Sequence, residues 1–381
     1  MNDRSSLSPR SAYVHVPFCQ HRCGYCNFTL VTGRDDLIDS YLEAVERELA
    51  AIESPSEVDT LYFGGGTPTH LTAAPLDRLL TSTTRTFPLA TGAELSVEAN
   101  PADLDRERMA VLHRHGVTRI SLGAQSFDDA KLRLLERDHT ASDIQAAVEL
   151  AREAGLEVAL DLIFAAPDEA LSAWQSDLEA AVALEPEHIS TYGLTFERGT
   201  AFWSRREKRD LTEVDEEVQR DMYLAAIDRL GEAGYEHYEV SNFARQGRRS
   251  RHNQVYWSGL SYHAVGPGAS RFVAGRRETN HRSTTTYIRR VLAGESPVAE
   301  SEQLAPADAA RERLVFALRR LEGIDTREFA AETGWEVERL VGSRLESHVA
   351  AGRLSREGNR LRLTREGLLV SDAIWTDFLR C

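Results

Sequence analysis

Short apolar runs alternate with longer stretches of helical period through the first 240 residues of the chain. The runs are Ala12–Phe18, Val58–Phe63, Glu94–Val97, Arg119–Leu122, Val158–Phe164 and His188–Tyr192. Between them, Leu37–Ile52, Leu104–His113, Ile144–Ala154 and Leu171–Leu184 repeat their apolar residues at the interval that puts them on one face of a helix. Val214–Ala233 predicts a further long helix. Strands separated by helices predict a parallel sheet, since a parallel pair needs a crossover long enough to hold a helix. Six such units predict an α/β fold, a partial (β/α)6 barrel of TIM type with its site at the C-terminal strand ends. An open doubly wound sheet is the alternative, but no dinucleotide fingerprint follows the first strand.

The pattern changes near residue 245. Ala244–Arg251 is basic and polar, Gly259–Gly275 is rich in glycine and aromatics, and Ser296–Pro306 reads as a linker. Helical periods return at Ala309–Arg320, Thr326–Thr333 and Glu336–Ala351. Two short runs follow, Arg353–Ser355 and Arg360–Thr364, joined at Gly358-Asn359. Three segments are therefore predicted: a barrel core over 1–240, an extension over 241–300, and a small winged-helix-like α+β domain over 301–381. A winged helix suggests DNA. Residues 301–381 nevertheless carry 13 arginines against 14 acidic residues, a poor footprint for a polyanion, so an interaction or lid module is the better reading.

Composition narrows the class. The net charge of −15 argues against a general nucleic-acid binder, because phosphate neutralisation needs basic surface. No apolar run approaches the ~20 residues that span a bilayer, and the first residues carry no apolar signal-peptide core. A cytoplasmic protein is expected, in a compartment where thiols stay reduced.

Three of the four cysteines lie within eight residues, as Cys19-Gln-His-Arg-Cys23-Gly-Tyr-Cys26 directly after the first strand; the fourth is Cys381. One loop can wrap three thiolates around three corners of a cubane, and clusters held by protein alone usually take four cysteines, so one iron would stay open. A zinc site completed by His21 or His15, or simply buried thiols, are the other readings; the distant second ligand pair usual for zinc is absent. Gly64-Gly65-Gly66-Thr67-Pro68 follows the second strand, where glycine allows close backbone approach to a ligand.

Cys-x3-Cys-x2-Cys with an aromatic before the last cysteine resembles the signature of the radical S-adenosylmethionine (SAM) superfamily. Tyr13-Val-His-Val-Pro-Phe-Cys19, Tyr62-Phe-Gly-Gly-Gly-Thr-Pro68, Ser96-Val-Glu-Ala-Asn-Pro101, Ser121-Leu-Gly-Ala-Gln-Ser-Phe127, Asp161-Leu-Ile-Phe and His252-Asn-Gln-Val-Tyr-Trp257 resemble its oxygen-independent coproporphyrinogen III oxidase-like branch, in order, from about residue 12 to the C-terminus. The resemblance implies a 4Fe-4S cluster on Cys19, Cys23 and Cys26. It implies SAM contacts at Tyr13, Tyr25, Gly65, Gly66, Thr67, Glu98, Gln125, Arg137, Asp161 and Gly193. It also implies a low-potential electron donor.

One departure bears on activity. The authentic dehydrogenase of this branch has a fourth cysteine two places after the third, where this chain has Phe28, and a longer N-terminal extension. Both differences resemble the heme chaperones of the branch, as does His252-Asn-x-x-Tyr256-Trp257, which that resemblance assigns to heme. The expectation is a heme chaperone with heme, acceptor hemoproteins (respiratory ones included) and an electron donor as partners, and with room for a homodimer and peripheral membrane contact. Decarboxylation of coproporphyrinogen III to protoporphyrinogen IX is the alternative. His21 and His15 rival His252 as heme ligand.

Overall fold

The computed structural model describes residues 8–53 and 55–380, so Cys381 lies outside the described residues. Its strands are β1 (Ser11–Val16), the short β2 (Phe18–Cys19) and β3 (Val31–Thr32), then β4 (Val58–Gly65), β5 (Leu89–Ala99), β6 (Arg119–Gln125), β7 (Glu157–Phe164), β8 (His188–Gly193), β9 (Glu236–Glu239), β10 (Asn242–Ala244) and β11 (His263–Val265). The large sheet runs β11-β1-β4-β5-β6-β7-β8-β10-β9. Its members from β11 to β8 are parallel, and β10 and β9 add an antiparallel edge. The edges do not pair with each other, so the barrel is open.

Alternation along the strands decides which residues meet the site. Leu61 and Phe63, Leu95 and Val97, Ile120 and Leu122, and Leu160 and Leu162 point outward into one core with the crossover helices. Helix Ile38–Ala50, for example, buries Tyr41, Leu42, Val45 and Leu49 there. The opposite parity turns Tyr62, Glu98, Ser121, Asp161 and Ser190 inward. Barrels usually fill this space with layers of branched apolar side chains; here polar side chains enter it and a cavity stays open.

Several elements differ from the sequence pattern. The first predicted strand stops at Val16 because Pro17 has no N–H for the ladder, and Phe18–Cys19 pair instead with Val31–Thr32. Within residues 241–300, β11 pairs with β1 at one edge of the large sheet and β10 lies beside β8 toward the other. β12 (Ser270–Val273), β13 (Arg276–Asn280) and β14 (Val298–Glu302) form a small antiparallel sheet, so the predicted linker holds a strand. The predicted helix Glu336–Ala351 is broken at Gly342, whose φ of 56° and ψ of −139° no helix accommodates, into Val337–Val341 and Ser343–Ala350. β15 (Ile324–Asp325), β16 (Leu354–Glu357) and β17 (Arg360–Leu363) make the wing, in the order β15-β17-β16, over a second core built on Leu314, Leu318, Leu361 and Phe378.

Candidate functional site

Pairing of β2 with β3 fixes both ends of the cysteine loop. Within it, Cys26 N–H donates to the Cys23 carbonyl at 3.0 Å. The Arg22 guanidinium donates to the carbonyls of Cys26, Phe28 and Leu30 at 3.3, 3.5 and 2.8 Å. All three thiols line one cavity of about 590 Å³ inside the barrel mouth, with Gly65, Gly66 and Thr67. Cys19 Sγ lies 3.2 Å from Thr67 Oγ1, and Cys23 Sγ accepts from Arg137 Nη1 at 3.4 Å. Burial pushes the Cys19 thiol up to about 12 and raises Cys26 as well; bound iron would supply the charge that lets such thiols ionise. Among the described residues no three His, Cys, Asp or Glu side chains converge on a single point to hold one ion. His15 cannot complete a zinc site, because its nitrogens meet Tyr13 Oη at 3.1 Å and the Thr29 carbonyl at 2.7 Å.

The remaining groups come from the strand ends. Gly65 closes β4 with φ of 117°, and its N–H donates to Glu98 Oε2 at 3.0 Å. A Cβ at Gly65 would meet the His15 ring at 2.6 Å. One at Gly66 would lie 2.8 Å from the Phe18 carbonyl oxygen and 3.0 Å from Cys19 Sγ. Tyr62 Oη donates to Glu98 Oε1 at 2.9 Å. Burial, then the nearby Asp161, push the Glu98 carboxyl up to about 7. Asp161 is itself raised by burial and accepts from Ser121 Oγ at 3.0 Å. Gln125 has a positive φ of 66° where β6 shifts register against β7, a distortion that re-aims its side chain into the cavity. Arg137, half-buried after a turn rather than solvated on a helix end, also donates to Asn100 Oδ1 at 3.2 Å and the Gly123 carbonyl at 3.1 Å. Tyr25 and Gly193 line the same cavity. Tyr13 does not: it borders a neighbouring opening of about 770 Å³, shared through Gly65, Glu98 and Phe28, and stacks on Tyr62 at 6.2 Å.

The His252 motif adjoins both openings, with Asn253 lining the first cavity and Tyr256 the second. Its helix, Arg251–Trp257, lies under the barrel, where Glu94 of β5 accepts the N–H groups of Arg251 and His252, each at 2.9 Å. His252 is 1% exposed, between Thr60 Oγ1 at 2.9 Å from Nδ1 and Tyr256 Oη at 2.8 Å from Nε2. Thr60 donates to Ser11 Oγ, so the consistent tautomer carries its proton on Nδ1 and Nε2 accepts from Tyr256. The lone pair that iron would need is taken, and burial lowers the imidazole to about 3, keeping it neutral. Trp257 is buried against Tyr238. In this structure His252 and Trp257 are therefore buried, while Tyr256 borders the neighbouring opening. Sequence reasoning missed Tyr62, Asn100 and Glu94; strict alternation around Leu61 and Phe63 was the available signal for Tyr62, whereas the partners of Asn100 and Glu94 are distant in the chain.

An open α/β barrel with three thiols after its first strand, a glycine loop after its second and carboxylates on later strands has the architecture of a radical SAM protein. Residues 13–181 match the radical SAM superfamily and residues 304–370 match the HemN C-terminal domain. The chain is 35% identical over 372 residues to the heme chaperone HemW of Lactococcus lactis subsp. lactis (strain IL1403), spanning 97% of both chains. It is 32% identical over 375 residues to HemW of Bacillus subtilis (strain 168), spanning 97% of this chain and 99% of that relative. The solved structure of coproporphyrinogen III oxidase (HemN) from Escherichia coli, a radical SAM enzyme, matches with a TM-score of 0.86 over 97% of this chain and 90% of that one. At 23% identity, that likeness is one of fold. The chain belongs to the HemW family of radical SAM proteins, a family whose cofactors are a 4Fe-4S cluster and SAM.

Proposed function

We propose that this protein binds heme and passes it to acceptor hemoproteins, respiratory ones among them, while carrying a 4Fe-4S cluster on Cys19, Cys23 and Cys26 and SAM beside them. The observation that carries this reading is the full-length likeness to heme chaperones. Phe28 agrees with it: the position of the dehydrogenase's fourth cysteine is a phenylalanine, 67% exposed. When bound, cluster and SAM supply a 5′-deoxyadenosyl radical on receipt of an electron from a low-potential donor. The chain's own part is to orient and to shield. Gly65 and Gly66 give a ligand access to backbone, Glu98 and Asp161 offer carboxylates to the amino and hydroxyl groups of SAM, and Arg137 holds the Cys23 corner. We place the protein in the cytoplasm, working as a homodimer with peripheral membrane contact; among the described residues no helix is long and apolar enough to cross a bilayer.

Anaerobically reconstituted protein, titrated with hemin and then mixed with a heme-free cytochrome, tests the reading. A Soret band of about one heme per chain that moves to the acceptor is expected. Coproporphyrinogen III, offered with SAM and reductant, is expected to yield no protoporphyrinogen IX above background. Sustained decarboxylation would overturn the reading.

A further inference from the structure

The cargo site follows from which histidines and apolar groups remain available. Three histidines border the two openings: His15, His21 and His188. His15 has both nitrogens bonded. His188 has Nε2 on Tyr238 Oη at 2.7 Å and Nδ1 without a partner among the described residues, but it is 3% exposed and offers no open face to a ring as large as heme. His21 differs. Its side chain is 51% exposed, it has no hydrogen bond among the described residues, and its nearest charged neighbour is Glu136 at 3.8 Å. A small side-chain rotation would let Glu136 accept from one ring nitrogen and so orient the other toward a metal.

Phe28 borders both openings and is the most exposed large apolar side chain among the described residues. Two guanidiniums bracket its turn. Arg22 holds it from one side through the carbonyls of Cys26, Phe28 and Leu30. Arg282 holds it from the other, donating to the Asn27 carbonyl at 2.9 Å and to Thr29 Oγ1 at 3.1 Å. Both arginines are exposed. Most of the strongly held surface arginines here face carboxylates, as Arg10 does Asp59 and Arg78 does Glu46. Arg22 and Arg282 have no carboxylate partner among the described residues, and five N–H donors per guanidinium leave some over for a ligand. Heme presents a flat apolar ring, one iron needing an axial ligand, and two propionates.

We propose that heme docks on the outer face of the cysteine loop, its ring against Phe28, its iron taken by His21 and its propionates facing Arg22 and Arg282. This rests on the chaperone reading and deepens it by naming the cargo site. Heme would then lie across the mouth above the thiols, where loading of the cluster and holding of the cargo can influence each other.

Hemin titration of the reconstituted protein and its variants tests this. His21→Ala is expected to shift the Soret maximum and weaken binding about tenfold or more, with imidazole in the buffer restoring the wild-type band. Phe28→Asp and Arg282→Glu are expected to weaken binding without moving the maximum, since the ligand is kept. His252→Gln is expected to bind as the wild type does. Iron and sulfide contents of each variant check that the loop still holds its cluster. Wild-type binding with His21→Ala and Phe28→Asp unchanged would overturn the site, and so would a Soret band lost only in His252→Gln. No heme binding by the wild type would instead overturn the chaperone reading itself.

Discussion

At the scale of single residues, the glycine loop and Glu98 do different work from neighbouring positions. The Gly66 Cβ site is hemmed in by the Phe18 carbonyl and Cys19 Sγ, one of them backbone, so Gly66→Ala must push the cysteine loop away. Iron retained after reconstitution should fall well below wild type in that variant, while urea unfolding of metal-free protein changes little. At Gly65 the obstruction is the His15 ring and the positive φ, so Gly65→Val would act through β1 as well as through the ligand space. Glu98 carries a pH dependence. Its carboxyl is raised from 4.5 to about 7 by burial and by Asp161, so the folded state keeps a proton that the unfolded chain gives up. The stability it contributes is complete below the unfolded value and is lost as pH climbs through the folded one. Metal-free Glu98→Gln should therefore gain stability over wild type between about pH 5 and 8. Parallel pH curves for the two proteins would refute it. The need for polar groups at strand ends was readable from the motifs; the raised value of Glu98 was not, because Asp161 meets it only across the barrel.

At the scale of elements, helix Arg251–Trp257 joins the barrel to the site. Histidine near two aromatics reads as a heme ligand when only sequence neighbours are considered. In the fold, Tyr62 stacks on His252 at 5.0 Å and joins it to Glu98, tying the floor of the barrel to the site. Glu94 fastens this helix through two N–H groups and lies 3.4 Å from Arg119, with both side chains buried. Glu94→Ala leaves those amides without an acceptor, while Arg119 keeps Glu157 and the Arg248 carbonyl, each at 2.8 Å. The change should cost on the order of 2–3 kcal/mol. Glu94→Gln, which still offers one oxygen, should lose clearly less. Thermal unfolding of the two variants distinguishes them, and equal losses would mean that the helix is held by packing.

At the scale of the whole molecule, the C-terminal unit has its own apolar core but docks on the barrel through a specific contact. Arg319 meets Glu239, fully buried at the sheet edge, at 2.6 Å, and Leu321 N–H donates to the Tyr238 carbonyl at 3.1 Å. Arg319→Ala removes charged hydrogen bonds at this seam, a loss of about 1–3 kcal/mol. Scanning calorimetry should then show the single wild-type transition broaden or split as the C-terminal unit loosens first. An unchanged single transition would show that apolar contacts around Tyr223 and Ile227 carry the seam.

The sequence by itself determined what depends on neighbours along the chain. The six parallel strands follow from periodicity, and the cysteine loop from spacing within eight residues. The C-terminal helices and wing follow from local turn residues, Gly358-Asn359 among them. The tertiary structure alone decided what depends on pairs distant in sequence. It put β11 beside β1, at one edge of the large sheet. It closed both nitrogens of His252 with residues from β4 and from its own helix. It left His21 and Phe28 open to solvent. The reason is physical: backbone propensity and apolar spacing are local properties, whereas whether a polar atom already has its partner depends on which strands the barrel brings together.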